Sequence, residues 1–202
     1  MRKLLTLILL ITALMSKAQV DQALKRIQLY EGSEYVTYGH RITEVFSELE
    51  FHFGVGIFPK TNIAYLTYRQ LVVLMQDTAK RENWTQERYL ESRNYFRDHA
   101  SGGRIVLYVE RYGQYETNRK LFFVIVRNKN EEELKEIQFT NRPPDFITND
   151  LFSNWAYIDL DVEMPDEFFV YVNHKLTDHL SDTKFLVEVN AAPLLPPTEE
   201  KP

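Results

Sequence analysis

Residues 155–172, WAYIDLDVEMPDEFFVYV, alternate in polarity with a period of two on both sides of Pro165. Ile158, Leu160, Val162 and Met164 share one face of an extended chain, and Tyr157, Asp159, Asp161 and Glu163 share the other. A helix, at about 3.6 residues per turn, cannot keep such a pattern on one face. The stretch therefore predicts two strands joined at the proline. The first has a dry face and a wet, acidic face. The second carries Phe168, Val170 and Val172 on one side and Phe169 and Tyr171 on the other. Apolar on both faces, it is predicted to be buried on both and central in its sheet. The remaining elements must pack around this pair.

Further runs repeat the pattern. Leu49, Phe51, Phe53, Val55 and Ile57 alternate with Glu48, Glu50, His52, Gly54 and Gly56, a half-buried strand whose glycines suggest a bulge. Residues 42–46 fit helix or strand, and 63–66 fit a short strand after the turn at 59–62. Residues 104–111 place Ile105, Leu107 and Val109 on one face, while LFFVIV at 121–126 is apolar on both faces and predicted to be central. Residues 134–140 and 184–190 read as strands, with Ile137 and Phe139, then Phe185, Val187 and Val189, inward. Pro143-Pro144 makes 141–154 a long connection that lets the chain cross from one sheet to another.

Helical spacing occurs in three places. Val20, Ala23, Leu24 and Ile27 suggest a short helix over 19–30. Thr67, with Gln70 three residues on, matches a capping box before Tyr68, Leu71, Val72 and Met75. A second helix starts at Asn83 or Thr85, presents Trp84, Leu90 and Phe96 with weaker periodicity, and stops at Ser101-Gly102-Gly103. Strands outnumber helices. The expected fold is mainly β: an antiparallel β-sandwich with a helical pair between its early and late strands. An α+β fold, with helices on one face of a single sheet, is the alternative.

The first eighteen residues read as a secretory signal peptide. Arg2 and Lys3 precede an apolar run of eleven residues at 4–14, and Ser16-Lys17-Ala18 places small side chains around a cut between Ala18 and Gln19. Such a run spans only ~17 Å as a helix, against a hydrocarbon core of ~30 Å, so a membrane anchor is disfavoured. The expected organisation is a signal peptide at 1–18, one β-rich domain at 19–192 and a proline-rich, disordered tail at 193–202. The chain has no cysteine, so it folds without disulfides, which suits a bacterial periplasmic or secreted protein. Removing residues 1–18 leaves 184 residues, with 21 basic side chains against 29 acidic ones and a formal charge of −8. That balance argues against nucleic acid and anionic membranes as partners. In signal peptide and strand pattern the chain resembles small exported bacterial β-sandwich proteins, a likeness of architecture that carries no residue-level function.

Few residues suggest chemistry. None of the metalloprotease, serine-hydrolase or phosphate-loop motifs occurs, and His40, His52, His99, His174 and His179 read as surface or loop residues. Ser101 reads as part of the loop that ends a helix. Asp159, Asp161, Glu163, Asp166 and Glu167 crowd five carboxylates into nine residues. They could form a cation site, or an acid pair for cleaving glycans. However, alternate residues of a strand sit ~6.6 Å apart, too far for one ion to gather Asp159, Asp161 and Glu163 without outside ligands. The expectation is a solvated acidic face, with no cofactor. Tyr108, Arg111, Tyr112 and Tyr115 cluster about Gly113 and suggest a stacking surface for a sugar or peptide, or else an ordinary aromatic strand end. Asn83-Trp84-Thr85 matches an N-glycosylation acceptor, and Asp77-Thr78-Ala79 a short O-glycosylation pattern. The functional expectation is an exported, non-catalytic protein that binds a protein or glycan at the cell envelope. The alternative is a small secreted, glycan-directed hydrolase using the acidic strand.

Overall fold

The computed structural model describes residues 34–47, 60–175 and 182–190. Among them the chain runs through β1 (Glu34–Thr37), β2 (His40–Ser47), β3 (Lys60–Leu66), α1 (Tyr68–Arg81), α2 (Gln86–His99) and β4 (Gly103–Tyr112). After a 3-10 turn (Arg119–Leu121) come β5 (Phe122–Asn128), β6 (Glu133–Gln138), β7 (Asp145–Thr148), β8 (Leu151–Leu160), β9 (Glu167–His174) and β10 (Thr183–Glu188). The strands form a six-stranded sheet, β1-β2-β10-β9-β5-β6, and a four-stranded sheet, β3-β4-β8-β7, with every pairing antiparallel. The two pack as a β-sandwich, and the helical pair falls between β3 and β4, as the sequence predicts. The predicted signal peptide at 1–18, the predicted helix at 19–30, the predicted strand at 49–58 and the proline-rich tail predicted at 193–202 lie outside the described residues. No described helix is long and apolar enough to cross a membrane.

The core between the sheets is built from alternate residues of both. Ile63, Ile105, Leu107 and Ile158 come from the smaller sheet; Val124, Phe168, Val170 and Phe185 come from the larger. The Tyr35 hydroxyl, on β1, ties the sheets at one edge. It donates to Ile63 O (2.8 Å) and accepts from Ile63 N–H (3.0 Å), which satisfies backbone groups on the outer edge of β3. Burial pushes the phenol of Tyr35 well above the ordinary tyrosine range.

A second, smaller core lies outside the four-stranded sheet. Leu71 of α1 and Ala100 cover Ala64, Leu66 and Val106, with Leu74, Phe96 and Tyr157 at the margin. The helices start where their caps dictate. Thr67 Oγ1 accepts from Gln70 N–H (3.3 Å) while Gln70 Oε1 accepts from Thr67 N–H (2.8 Å), the reciprocal box expected of this pair. Thr85 caps α2 through Arg88 N–H (3.3 Å). At the far end Gly102 and Gly103 permit a close approach. A Cβ on Gly102 would stand 1.7 Å from Val162 O, and one on Gly103 would stand 2.4 Å from Leu66 O.

Several boundaries differ from the sequence reading. β8 begins at Leu151 and stops at Leu160, so Asp161, Val162, Glu163 and Met164 belong to the connection to β9. The stretch 141–154 is not one loop. The chain does cross to the smaller sheet past Pro143-Pro144, but it then forms β7 and turns at Asn149-Asp150 into β8. Both turn residues have positive φ (45° and 61°), the geometry of a tight hairpin turn. The two-sided burial expected of 121–126 and 168–172 also fails. Phe122, Val124 and Val126 are buried, as are Phe168, Val170 and Val172, whereas Phe123, Ile125, Phe169 and Tyr171 are half-buried on the outer face. Among the described strands β4 is buried on both faces, with only Tyr112 short of full burial, and so is the second half of β3, 63–66. The helices that cover them make the difference.

Candidate functional site

The period of two divides the tyrosine–arginine cluster. Tyr108 and Tyr112 lie on the face of β4 that carries Arg104 and Val106, and Arg111 lies on the opposite face with Leu107 and Val109. The Tyr108 hydroxyl donates to Glu110 Oε1, which also meets Lys60 Nζ at 3.4 Å. Arg111 points into the end of the sandwich, over the Phe122 ring at 5.4 Å. It donates to Lys60 O (3.0 Å), Glu110 O (2.8 Å) and Thr61 Oγ1 (2.8 Å). Burial lowers its pKa to about 10. Of the four, only Tyr115 stands out in solvent, 59 % exposed, with Lys120 Nζ 5.6 Å from its ring. The structure therefore does not bring Tyr108, Arg111, Tyr112 and Tyr115 onto one surface.

The acidic stretch is divided as well. Asp159 sits directly across from Arg104 in the β4–β8 ladder. Arg104 grips it with a fork, Nε to Oδ1 at 2.5 Å and NH2 to Oδ2 at 3.0 Å, and the Tyr95 hydroxyl adds a bond of 3.0 Å to Oδ2. The guanidinium lies over the Tyr157 ring (4.4 Å) and the Phe96 ring (5.0 Å). The two side chains are only 10 % and 17 % exposed. Asp159 is therefore not part of a solvated face; it neutralises a cation beneath the helices. Asp161 lies beyond the strand end, exposed, and bonds Lys135 Nζ at 2.6 Å, which holds its carboxyl below the usual range. Glu163 lies in the β8–β9 connection and shares no strand face with Asp159. Among the described residues no three His, Asp or Glu side chains converge as a metal site would need.

Two histidines are not surface residues. His40 and His174 are buried within β2 and β9. The Asn190 N–H, which can only donate, bonds His40 Nδ1 at 3.0 Å. The proton of the neutral ring is thus on Nε2, where it meets Gln70 Oε1 at 2.8 Å. His174 Nε2 lies 3.0 Å from the Glu116 carbonyl and so carries its proton there too. Burial holds both rings below the ordinary histidine pKa, and the charge of Arg111 adds to the effect at His174. Glu44, half-buried on β2, is shifted the other way by burial. Thr78 is buried, with Oγ1 donating to Leu74 O (2.8 Å), while Asn83 occupies the exposed turn between the helices. A pocket of ≈ 20 Å³ under the helices, lined by Leu66, Leu71, Phe96, Arg104 and Tyr157 among others, is about the size of one water and cannot seat a sugar.

The sequence reading missed the loop end of the sandwich. Segments 117–120 and 140–142 lie side by side, joined by Asn118 Nδ2 to Asn141 Oδ1 (2.7 Å) and Arg119 NH2 to Thr140 Oγ1 (3.0 Å). Buried Asn154 holds both from below, Nδ2 donating to Thr117 O (3.1 Å) and Arg142 O (2.9 Å). The hairpin turn joins the same end through Gly113 N–H to Asp150 O (2.8 Å). This region lacks periodicity, and none of its residues forms a recognisable motif, so no sequence signal marks it. The chain matches no protein-family model, no curated protein and no solved structure.

Proposed function

We propose that the chain is an exported, non-catalytic binding protein of the bacterial cell envelope, and that it takes a protein or glycan partner at the loop end of the sandwich. The observation that carries the reading is a pair of side chains there. Phe146 (67 % exposed) on β7 and Tyr115 (59 % exposed) after β4 are the most exposed large apolar groups among the described residues. They stand on segments tied to the sandwich by backbone hydrogen bonds, and exposed aromatics on a held scaffold are the usual anchors of recognition surfaces. The signal segment at 1–18 supports export. The hydrolytic alternative needs an acid with a raised pKa beside a second free carboxylate. Asp159 is committed to Arg104 and Tyr95, and Asp161 is held below the usual range by Lys135.

Cell fractionation with N-terminal mass spectrometry tests the first half; the reading expects a chain beginning at Gln19 outside the cytoplasm. Co-sedimentation of that chain with isolated envelope material tests the second, with Tyr115→Ala and Phe146→Ala as controls. An intact chain beginning at Met1 and retained in the cytoplasm would overturn the reading. So would glycan hydrolysis by the wild type that Asp161→Asn abolishes while leaving the melting curve unchanged.

A further inference from the structure

In a chain with an acidic balance, the loop end gathers cations. Arg119 and Arg142 project from the two stapled segments, and Lys120 follows Arg119 directly. Among the described residues Arg119 bonds the backbone and hydroxyl oxygens of Thr140 (3.3 and 3.0 Å), and none of them places a carboxylate at ion-pair distance from it. Among the described residues, the one acid near Arg142 is Asp145, 3.9 Å away and 72 % exposed, too long and too wet to neutralise it. Arg142 rests on the Trp155 ring at 3.9 Å. Partial burial lowers the pKa of Arg119, and the charge of Arg142 adds to that shift. Arg119 reaches the neighbouring segment at Thr140, two residues before Arg142, so two half-buried guanidiniums stand on adjoining segments, and an anion placed between them would be drawn by both charges.

We propose that Arg119 and Arg142 form a subsite for the carboxylate of an acidic glycan, with Tyr115 and Lys120 beside it taking the adjoining sugar. The proposal rests on the reading of this chain as a binding protein. The planar fork of a guanidinium matches a carboxylate in two bonds, which an ammonium cannot do. The fork on Arg142 is held in place by Trp155, and the fork on Arg119 by Thr140, so little order is lost on binding. Tyr115 is the exposed aromatic of this turn, which Asn118 N–H closes onto Tyr115 O at 3.0 Å. Lys120 Nζ lies over one face of that ring, 5.6 Å from its centroid, which leaves the opposite face for a sugar ring to stack on.

The test is calorimetric titration of the purified mature chain with an oligogalacturonate and, separately, with the neutral maltohexaose. Saturable binding of the acidic sugar alone is expected. Arg119→Gln and Arg142→Gln should each weaken it roughly tenfold or more, as loss of a charged hydrogen-bond donor does. Arg142→Lys should recover only part of the loss. Asp145→Asn, which removes the competing acid, should tighten binding about threefold, a gain that misfolding cannot mimic. Equal binding of both sugars, indifferent to the arginine variants, would overturn the anionic subsite while leaving the binding-protein reading intact. Binding of neither would also overturn the subsite, and the envelope co-sedimentation would then decide the broader reading independently.

Discussion

Each sheet turns one face away from the shared core, and the two outer faces invert the usual rule for what is buried. The four-stranded sheet presents Arg104 and Asp159 on its outer face, and these are nearly closed off beneath α1 and α2. The six-stranded sheet presents Phe123, Ile125, Phe169 and Tyr171, and these remain half-exposed. Each face solves its own problem. Under the helices a cation is matched by a bidentate carboxylate and a tyrosine hydroxyl, so no charge is left unpaired. On the open face long cations lie over the rings: Lys184 Nζ sits 3.9 Å from the Phe169 ring and 4.9 Å from Tyr171, and Arg127 sits 5.2 Å from Tyr171. Glu131 then bonds both Lys184 (3.0 Å) and the Tyr171 hydroxyl (2.5 Å). Stems of lysine and arginine cover apolar surface while their heads stay wet. What packs on a face, more than the polarity of its residues, determines how far it is buried.

The comparison is most easily broken within β5. Val124→Asp places a carboxylate in the inter-sheet core, where Val124 is fully buried. Its cost of several kcal/mol is comparable to a whole domain's ~5–15 kcal/mol, so cooperative unfolding should vanish from a thermal melt. A wild-type melt would show that β5 is not packed as described. Next in size is Asp159→Asn, which strands Arg104 without its partner. A loss of about 3 kcal/mol is expected, or a melting point lower by ~6–12 °C. The double variant Arg104→Met/Asp159→Leu should recover most of that, because an apolar pair suits the site as well as an ionic one. If the single variant melts within ~1 °C of wild type, the pair is screened like any surface bridge and the contrast between the faces is lost.

Ile125→Asp, one residue from Val124 but on the open face, should fold and cost only about 1 kcal/mol, lowering the melting point by ~2–4 °C. Failure of this variant to fold would mean that the open face is as dry as the covered one. The smallest effect concerns acid. His40 and His174 are both held neutral, with folded pKa values below the ordinary ~6.5, so the unfolded chain takes up protons first. Their contribution to stability is whole above about pH 6.5 and declines as pH falls through that value toward the folded pKa values. At pH 6 the loss is at most about 0.8 kcal/mol per histidine. Because His40 bonds the Gln70 of the helix cap, hydrogen-exchange protection in the first turn of α1 should fall between pH 7.5 and 5.5 before that of β9 does. Equal loss in both elements would uncouple His40 from the covered face.

Much of the fold could be read before any coordinates. The alternation at 105–109, 168–172 and 185–189 reports inward faces because extended chain leaves no other way to bury those side chains together. Thr67 and Gln70 announce a helix start because their bonds are local to four residues. Reading fails where a residue's environment comes from elsewhere in the chain. Asp159 looks solvated along 157–163 because its cation is fifty-five residues away, on β4. His40 and His174 look like loop residues because the groups that bury and fix them, among them Asn190 and Glu116, are distant in sequence. The pairing of 117–120 with 140–142 has no local pattern; it exists because Asn154 and the crossing between sheets bring the two segments together. Tyr108 and Arg111 are a different case, since an odd spacing on a strand already places them on opposite faces.

The sequence by itself determined the β-sandwich with its inserted helical pair, since period-two faces, caps and turn residues act over a few bonds and answer to local geometry. Only the tertiary structure decided which outer face would be covered, which acid would meet which cation, and that Arg119 and Arg142 would stand on adjoining segments. Those outcomes depend on desolvation and on charges brought together across long loops, and neither is written in the neighbouring residues.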